Sequence, residues 1–315
     1  MNRILPFPPL RMMPPMLKAM PAMAWAQLRK DYVTAMRLGN QIISSSELKT
    51  LGFQGYTPGQ HDVFVCSYSK SGTYWMLQIV SQIAGLGEAN FEHIHHIAPW
   101  PEVPFPGLTR LQTPTWESAP TELRAIKTHA EADFVPYHPD AKYLFVFRDP
   151  KDVLISAFYF SESIMPGLKS IGLDKWTEAF IAGETPFGSW PEHIASFWPW
   201  RDRENVLQTT YEWMKADLEK AVRSVSQLMA VDLTDEQVAK VVHRSSFTYM
   251  KEHKDKFKPP SPPGTSGTIE LIRKGNTGDA AKELTAVQQK AVNHAMKEQL
   301  KALGSDFPFD TFYGD

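Results

Sequence analysis

The sequence predicts an α/β fold, a single domain with a central parallel β-sheet flanked by helices. Residues 63–66 and 143–147 are short apolar runs bounded by polar residues, as buried parallel strands are. After Gly72, apolar residues recur at helical spacing as far as Gly85 and Gly87, so a helix follows the first of these strands. Strands that alternate with helices indicate a parallel sheet.

The other elements follow in chain order. Strands are predicted at 124–128 and 205–211 as well, and a helical stretch follows residue 152. The further helices are expected at 214–228, 235–244 and 284–303. Residues 258–268 are rich in Pro, Gly, Ser and Thr, which is typical of a disordered loop or a functional lid. We divide the chain into an N-terminal Met/Pro-rich segment with its lead-in, 1–60, and the folded domain, 61–315.

Composition excludes several classes of protein. Of the 315 residues, 43% are hydrophobic and 22% charged, which supports a sizeable core and excludes a fully disordered chain. Because 33 Lys and Arg oppose 35 Asp and Glu, the net charge of −2 creates no overall field for nucleic acid, and neither nucleic acid nor a membrane is an expected partner. The single cysteine, Cys66, favours a reducing compartment, and we expect the cytoplasm.

The N-terminal 28 residues are rich in Met and Pro. Six prolines are expected to interrupt any continuous apolar helix there, and the stretch does not have the pattern of a signal peptide. The run 70–88 is too polar and too short to cross a bilayer. The N-terminal segment is expected to be a loose arm, an apolar flap over a pocket or a disordered tail.

The loop after the first strand, residues 67–73, combines Lys70, Gly72 and several hydroxyl groups at the start of a helix. Backbone N–H groups and the helix dipole favour a phosphate-like anion at such a place. The loop is not a Walker A motif, because Lys70 precedes the lone glycine, so a kinase loses its strongest support.

Three motifs in the same order resemble the signatures of the cytosolic PAPS-dependent sulfotransferases. They are SYSKSGTYW at 67–75, FRDPKDVLIS at 147–156 and RKGNTGD at 273–279. The shorter motifs FGSW at 187–190 and YEWMK at 211–215 lie between them. The resemblance extends from about residue 61 to residue 303 and implies the P-loop-kinase-like sulfotransferase fold.

The resemblance also implies the donor nucleotide, which is PAPS, with PAP as the product and no metal. PAPS carries a sulfuryl group on its 5′-phosphate and an extra phosphate on the 3′-oxygen. The implied nucleotide-binding residues are Lys70, Ser71, Gly72, Thr73, Tyr74, Trp75, Arg148, Ser156, Tyr211, Ser245, Ser246, Phe247, Arg273, Lys274 and Gly275. Charge-assisted donors suit the two phosphate ends, and Trp75 and Phe247 suit the two faces of adenine.

The implied catalytic residues are His129, Lys70, Lys127 and Ser156. His129 follows the second strand at the sheet edge where ligands bind, and it is the expected base for the acceptor proton. Lys70 and Lys127 would stabilise the transferring group, and Ser156 would hold Lys70 until an acceptor arrives.

A group of three histidines, His93, His95 and His96, could suggest a metal site, but no acidic or Cys partner has matching spacing, so a structural role is favoured. Several aromatic residues could line an apolar acceptor site or belong to the core. These are Phe91, Trp100, Phe105, Phe134, Phe158 and Phe160.

The chain departs from the family pattern at Ser69, Tyr74, Asp149 and Ala280, where the family has Pro, Thr, Asn and Trp. The family's C-terminal dimer motif keeps only Thr285 among the aligned Ala281, Thr285, Ala286 and Lys290, so a family-type dimer is not expected.

The sequence thus predicts a sulfotransferase that moves a sulfuryl group from PAPS to a hydroxyl or amine of a small apolar acceptor. The alternatives are a nucleotide kinase of related fold and a regulator that binds PAP or PAPS without turnover.

Overall fold

The computed structural model describes residues 13–103, 105, 107–259, 271, 275 and 277–314, with the backbone alone for 13–20. Its centre is a parallel sheet in the order β2-β1-β3-β4. The strands are β1 (Asp62–Cys66), β2 (Arg124–Thr128), β3 (Lys142–Phe147) and β4 (Val206–Thr210). The predicted fold class and all four predicted strands are confirmed.

Helices connect and cover the strands. They are α1 (Met13–Leu28), α2 (Tyr32–Ile43), α3 (Ser46–Phe53), α4 (Thr73–Ala84), α5 (Pro150–Ile164), α6 (Gly172–Ile181), α7 (Trp190–Phe197), α8 (Tyr211–Ala216), α9 (Leu218–Leu228), α10 (Asp235–Arg244), α11 (Phe247–Glu252), α12 (Ala280–Glu283), α13 (Ala286–Ala302) and α14 (Phe309–Tyr313). Thr285 begins α13 with a capping box that it shares with Gln288.

The sheet is buried on both faces. Alternate residues of β1 enter two different cores, since Phe64 belongs to one and Val63 and Val65 to the other. Residues of β3 alternate in the same way. This double burial explains why β1 and β3 are almost continuously apolar.

The register of the sheet decides where the motif loops meet. Cys66, the last residue of β1, pairs with Thr128 on β2 and with Phe145 on β3. The segments that follow β1, β2 and β3 therefore leave the sheet at one edge.

An ion pair fixes the opposite edge. Arg124 Nε lies 2.9 Å from Asp62 Oδ1, and both side chains are buried. The Tyr56 hydroxyl donates to the other carboxylate oxygen of Asp62 at 2.5 Å. Because Asp62 begins β1 and Arg124 begins β2, this pair holds the starts of both strands in register.

Two predicted helical features are wrong. The prolines do not prevent a helix near the N-terminus, because α1 runs through Pro21, while Pro14 and Pro15 lie in its first turn, where N–H groups need no intrahelical acceptor. The predicted helix 214–228 is two helices, because Asp217 has an extended backbone and its carboxylate caps α9 by accepting the Lys220 N–H.

Helix α1 has 16 residues and reaches the sheet assembly through α2, whose Ala35 and Met36 belong to the core. Among the residues that the structure describes, no helix is long and apolar enough to cross a membrane.

Candidate active site

The loop between β1 and α4 turns through two residues of positive φ, Lys70 at 68° and Gly72 at 100°. Gly72 caps α4, and a Cβ there would lie 2.8 Å from the ring of Tyr211. The Ser67 and Thr73 hydroxyls are 2.6 Å apart and close the loop on itself. The N-terminus of α4 is thereby held at the carboxyl end of β1, the position that favours an anion.

A cavity of about 820 Å³ opens over this edge. It collects most of the residues that the sequence predicts, namely Lys70, Gly72, Thr73, Tyr74, Trp75, Lys127, His129, Arg148, Ser156, Tyr211, Ser246, Phe247 and Gly275. Ser71 and Ser245 are fully buried, and their hydroxyls have no hydrogen-bond partner in the part of the chain that the structure describes. Arg273 and Lys274 lie outside the described residues.

Arg148 joins the second motif to the first. It follows β3, and its Nη1 donates to the carbonyl oxygen of Lys70 at 3.1 Å. Its guanidinium lies 4.3 Å from the centre of the Tyr211 ring and 3.7 Å from the Asp152 carboxylate. The Arg148 guanidinium is therefore fixed on the cavity wall, beside the loop between β1 and α4.

Asp152 joins the third motif to the other two. Its two carboxylate oxygens accept the N–H groups of Gly278 at 2.8 Å and Ala280 at 3.0 Å. Ala280, which replaces the family Trp, is buried in the core. The Gly275 carbonyl accepts from the Lys215 ammonium at 2.5 Å.

Two aromatic residues stand on the wall near these cations. The Trp75 indole donates to the Ser245 carbonyl at 2.7 Å and meets Tyr211 edge-on at 5.4 Å. Phe247 is 39% exposed and packs so closely on Gly275 that a Cβ there would lie 2.4 Å from its ring. Ser246 caps the helix that carries Phe247.

His129 is held by its neighbours in one orientation. Its Nδ1 lies 2.7 Å from the Ser67 carbonyl oxygen, so Nδ1 carries the hydrogen and Nε2 keeps its lone pair. Burial holds the pKa of His129 well below its usual range, and the charge of Lys127 acts in the same direction. The imidazole is neutral at pH 7 and can accept a proton.

Glu102 organises the segment that carries His129. One of its oxygens, Oε1, accepts the His129 N–H at 2.6 Å, the Thr128 hydroxyl at 3.1 Å and the Trp100 indole N–H at 2.8 Å. The carboxyl is buried, and burial raises its pKa.

Lys127 is buried between aromatic rings. Its ammonium lies 3.0 Å from the centre of the Trp100 ring and 4.3 Å from that of Tyr74. Burial holds its pKa well below the usual range, while the carboxylate of Glu102 opposes that shift. The Lys70 ammonium also rests on a ring, 3.9 Å from the centre of Phe160. Two lysine side chains thus reach the cavity on aromatic supports.

Tyr74 explains the role of one histidine. His95 Nδ1 lies 2.9 Å from the Ala98 carbonyl, so its Nε2 accepts from the Tyr74 hydroxyl, also at 2.9 Å. His93 contacts the carbonyl of Lys258 instead. Within the described residues, no group of His, Cys, Asp and Glu is arranged to hold a metal ion.

The rest of the cavity wall is apolar. Trp100, Phe105 and Phe160 line it as expected, whereas Phe91 and Phe158 are in the core and Phe134 packs against the core. The N-terminal helices supply wall residues that sequence reasoning did not identify. These are Met23 and Ala24 of α1 and Met36, Ile42 and Ile43 of α2.

The comparisons with known proteins agree with this geometry. A model of the sulfotransferase domain family matches residues 60–304. The chain belongs to the sulfotransferase family. Sulfotransferase 2B1 of Mus musculus is 32% identical over 79% of this chain and 74% of its own length.

Solved structures show the same fold. Mouse sulfotransferase SULT7A1, crystallised with PAP, has 25% identity, a TM-score of 0.61 and coverage of 82% of this chain and 91% of its own. Retinol dehydratase, crystallised with androsterone and PAP, has 21% identity, a TM-score of 0.63 and coverage of 81% and 84%. This sulfotransferase therefore has the fold of enzymes whose crystals contain PAP.

Replacing Glu102 separates hydrogen bonding from charge. Glu102→Ala leaves three donors without their shared acceptor, and each buried unpaired donor costs about 1–3 kcal/mol, so we expect turnover to fall at least about tenfold. Glu102→Gln keeps Oε1, and we expect most turnover to remain.

Steady-state sulfuryl-transfer kinetics and urea unfolding measure both effects. Glu92→Ala, which removes an exposed carboxylate from a neighbouring segment, is the control. Equal damage by Gln and Ala at position 102 would show that the negative charge is what matters.

Proposed function

We propose that this sulfotransferase transfers the sulfuryl group of PAPS to a hydroxyl or amine of a small apolar acceptor and releases PAP. The observation that carries the proposal is the convergence of Lys70, Arg148, Lys127 and His129 on one cavity. A nucleotide with a phosphate on both its 3′ and 5′ oxygens requires a separate cation for each phosphate. The acceptor requires a general base close to the hydroxyl or amine that reacts.

The nucleotide-binding part of the cavity would hold both the 5′-phosphosulfate and the 3′-phosphate of PAPS. Backbone N–H groups at the start of α4, together with Lys70, Ser71, Thr73 and Tyr74, would receive the phosphosulfate. Arg148 and Ser156, with Arg273, Lys274 and the Gly275 N–H from the third motif, would receive the 3′-phosphate. The buried Ser71 hydroxyl still has an unused donor to offer.

The adenine ring of the nucleotide would lie between the rings of Trp75 and Phe247. Tyr211 contacts both Trp75 and Arg148. Stacking on aromatic faces binds any base, and discrimination for adenine would come from polar atoms near Ser245 and Ser246. The fixed Trp75 indole, bonded to the Ser245 carbonyl, supports this arrangement.

Bound PAPS supplies a sulfuryl group attached to a phosphate that is a good leaving group. The protein would position the two reactants and stabilise the charge that develops in the transition state. His129 Nε2 would take the acceptor proton as the acceptor oxygen or nitrogen forms a bond to sulfur and the sulfur–phosphate oxygen bond breaks. Lys127 and Lys70 would neutralise charge on the equatorial and leaving oxygens. That Ser156 holds Lys70 before the acceptor arrives stays a prediction.

The acceptor would occupy the apolar part of the cavity. Trp100, Phe105, Phe160 and the methionines of α1 and α2 suit an apolar body with few polar groups. Retinol dehydratase, which has the same fold, binds an apolar alcohol of this kind, androsterone. The cytoplasm is the proposed compartment, in keeping with a free, buried Cys66.

The base is tested with His129→Ala. We expect turnover to fall by about 10²–10⁴-fold, because general-base catalysis is lost, while the affinity for PAP measured by calorimetry stays nearly unchanged. His294→Ala, an exposed histidine on α13, is the control. Equal losses in turnover and PAP affinity would remove His129 from the role of base.

The third motif is tested with a matched pair of glycines. Gly275 and Gly278 both have positive φ, 62° and 76°, so alanine strains both backbones alike. Only the Cβ at 275 would displace Phe247, since no atom of the described part of the chain lies within 4 Å of one at 278. We expect Gly275→Ala to weaken PAP binding at least about tenfold more than Gly278→Ala does, a difference of about 1.4 kcal/mol.

Calorimetric titration with PAP gives both affinities. The same affinity in the two variants would mean that neither Phe247 nor the 275 turn contacts the nucleotide.

A further inference from the structure

Helix α1 is apolar on two sides. Its inner side faces the protein, where Ala26 is in the core and Met23 and Gln27 line the cavity. Its outer side carries Pro21, Ala22, Trp25 and Leu28, all exposed to solvent. We call these four residues the α1 outer face. Trp25 is 62% exposed and Leu28 78%, far more than a helix packed on a domain normally leaves open for such side chains.

The sequence up to residue 30 carries charge of one sign. The first 30 residues contain five cations and no carboxylate, although the whole chain has a net charge of −2. The cations are Arg3, Arg11, Lys18, Arg29 and Lys30. Arg29 and Lys30 are exposed and follow the α1 outer face directly. The first carboxylate, Asp31, is engaged as the cap of α2, where it accepts the Thr34 N–H.

We infer that the α1 outer face binds the surface of a bilayer that contains anionic phospholipid. Tryptophan and leucine beside lysine and arginine are the residues by which helices lie in a membrane interface. Cations near an anionic leaflet and the burial of leucine or tryptophan side chains both favour this placement. With 16 residues, α1 is about 24 Å long and too short to span the hydrocarbon core.

A second copy of the chain fits this face less well. In a twofold dimer the same patch meets itself, so both sets of cations would be brought together. The exposed Asp31 that follows Lys30 offsets only part of this charge. An anionic lipid surface has the complementary charge.

The expectation that the chain has no membrane partner rested on the net charge of −2 and on the lack of a spanning segment. A helix that lies on the surface needs no spanning segment, and the net charge of the whole chain does not show that five of its cations fall within the first 30 residues. Because Met23 and Gln27 of the same helix line the cavity, a bound bilayer would sit close to the site proposed for an apolar acceptor. Apolar molecules concentrate in bilayers, so this placement would shorten their route. That consequence rests on the proposed function, whereas lipid binding does not.

The test is co-sedimentation of the full chain with vesicles of phosphatidylcholine, with and without phosphatidylserine. We expect binding to the vesicles that contain phosphatidylserine, at least tenfold weaker binding to phosphatidylcholine alone, and loss of binding in high salt. The variant Trp25→Ala/Leu28→Ala should bind at least tenfold more weakly. Val287→Ala/Leu303→Ala, which removes exposed apolar side chains on and next to α13, should bind like the unchanged chain.

Two further readouts make the outcome unambiguous. PAP affinity shows whether the Trp25/Leu28 variant is folded, and light scattering shows whether it changes the oligomeric state. No binding to vesicles that contain phosphatidylserine, or unaltered binding by the folded variant, would overturn the inference. A dimer that the variant converts to monomer without any vesicle binding would assign the face to a contact between copies. Vesicle binding by a chain that shows no sulfuryl transfer would count against the proposed function and would still support the lipid-binding inference.

Discussion

The site depends on the backbone of one loop. Two backbone carbonyl oxygens in the segment after β1 accept hydrogen bonds from the site. The Ser67 carbonyl accepts from the His129 ring, and the Lys70 carbonyl accepts from the Arg148 guanidinium. His129 comes from the end of β2 and Arg148 from the end of β3, so parallel pairing of these strands with β1 is the condition for both contacts. A single loop therefore fixes the proposed base, the proposed phosphate ligand and, through its own amides, the place for the donor.

Electrostatics at the site is governed by burial. Lys127 and Glu102 lie near each other away from water, and burial pushes both groups toward their neutral forms. The Trp100 ring supports the ammonium by a cation–π contact, and its indole N–H supports the carboxylate. The carboxylate of Glu102 opposes the loss of the Lys127 proton, and the charge of Lys127 in turn favours the neutral form of the His129 imidazole.

Motif residues and strands could be predicted from the sequence because both are local patterns. The apolar runs of β1 and β3 reflect burial on two faces, and the donor loop is a continuous peptide. The role of Glu102 could not be predicted, since two of its three hydrogen bonds join it to Thr128 and His129, which are distant in the chain. The helical form of α1 was not predicted, because the number of prolines outweighed the helix-forming Met, Ala and Leu residues around Pro21. Asp217 broke a helix that looked continuous because capping competes with helix propagation.

The most direct measurement is calorimetric titration of the protein with PAP and, separately, with ATP and ADP. Arg148 is the cation proposed to bind the 3′-phosphate of PAP, a group that ATP and ADP lack. PAP is therefore expected to bind at least about tenfold more tightly than either, a difference of about 1.4 kcal/mol. Tighter binding of ATP than of PAP would contradict the account and favour phosphoryl transfer instead.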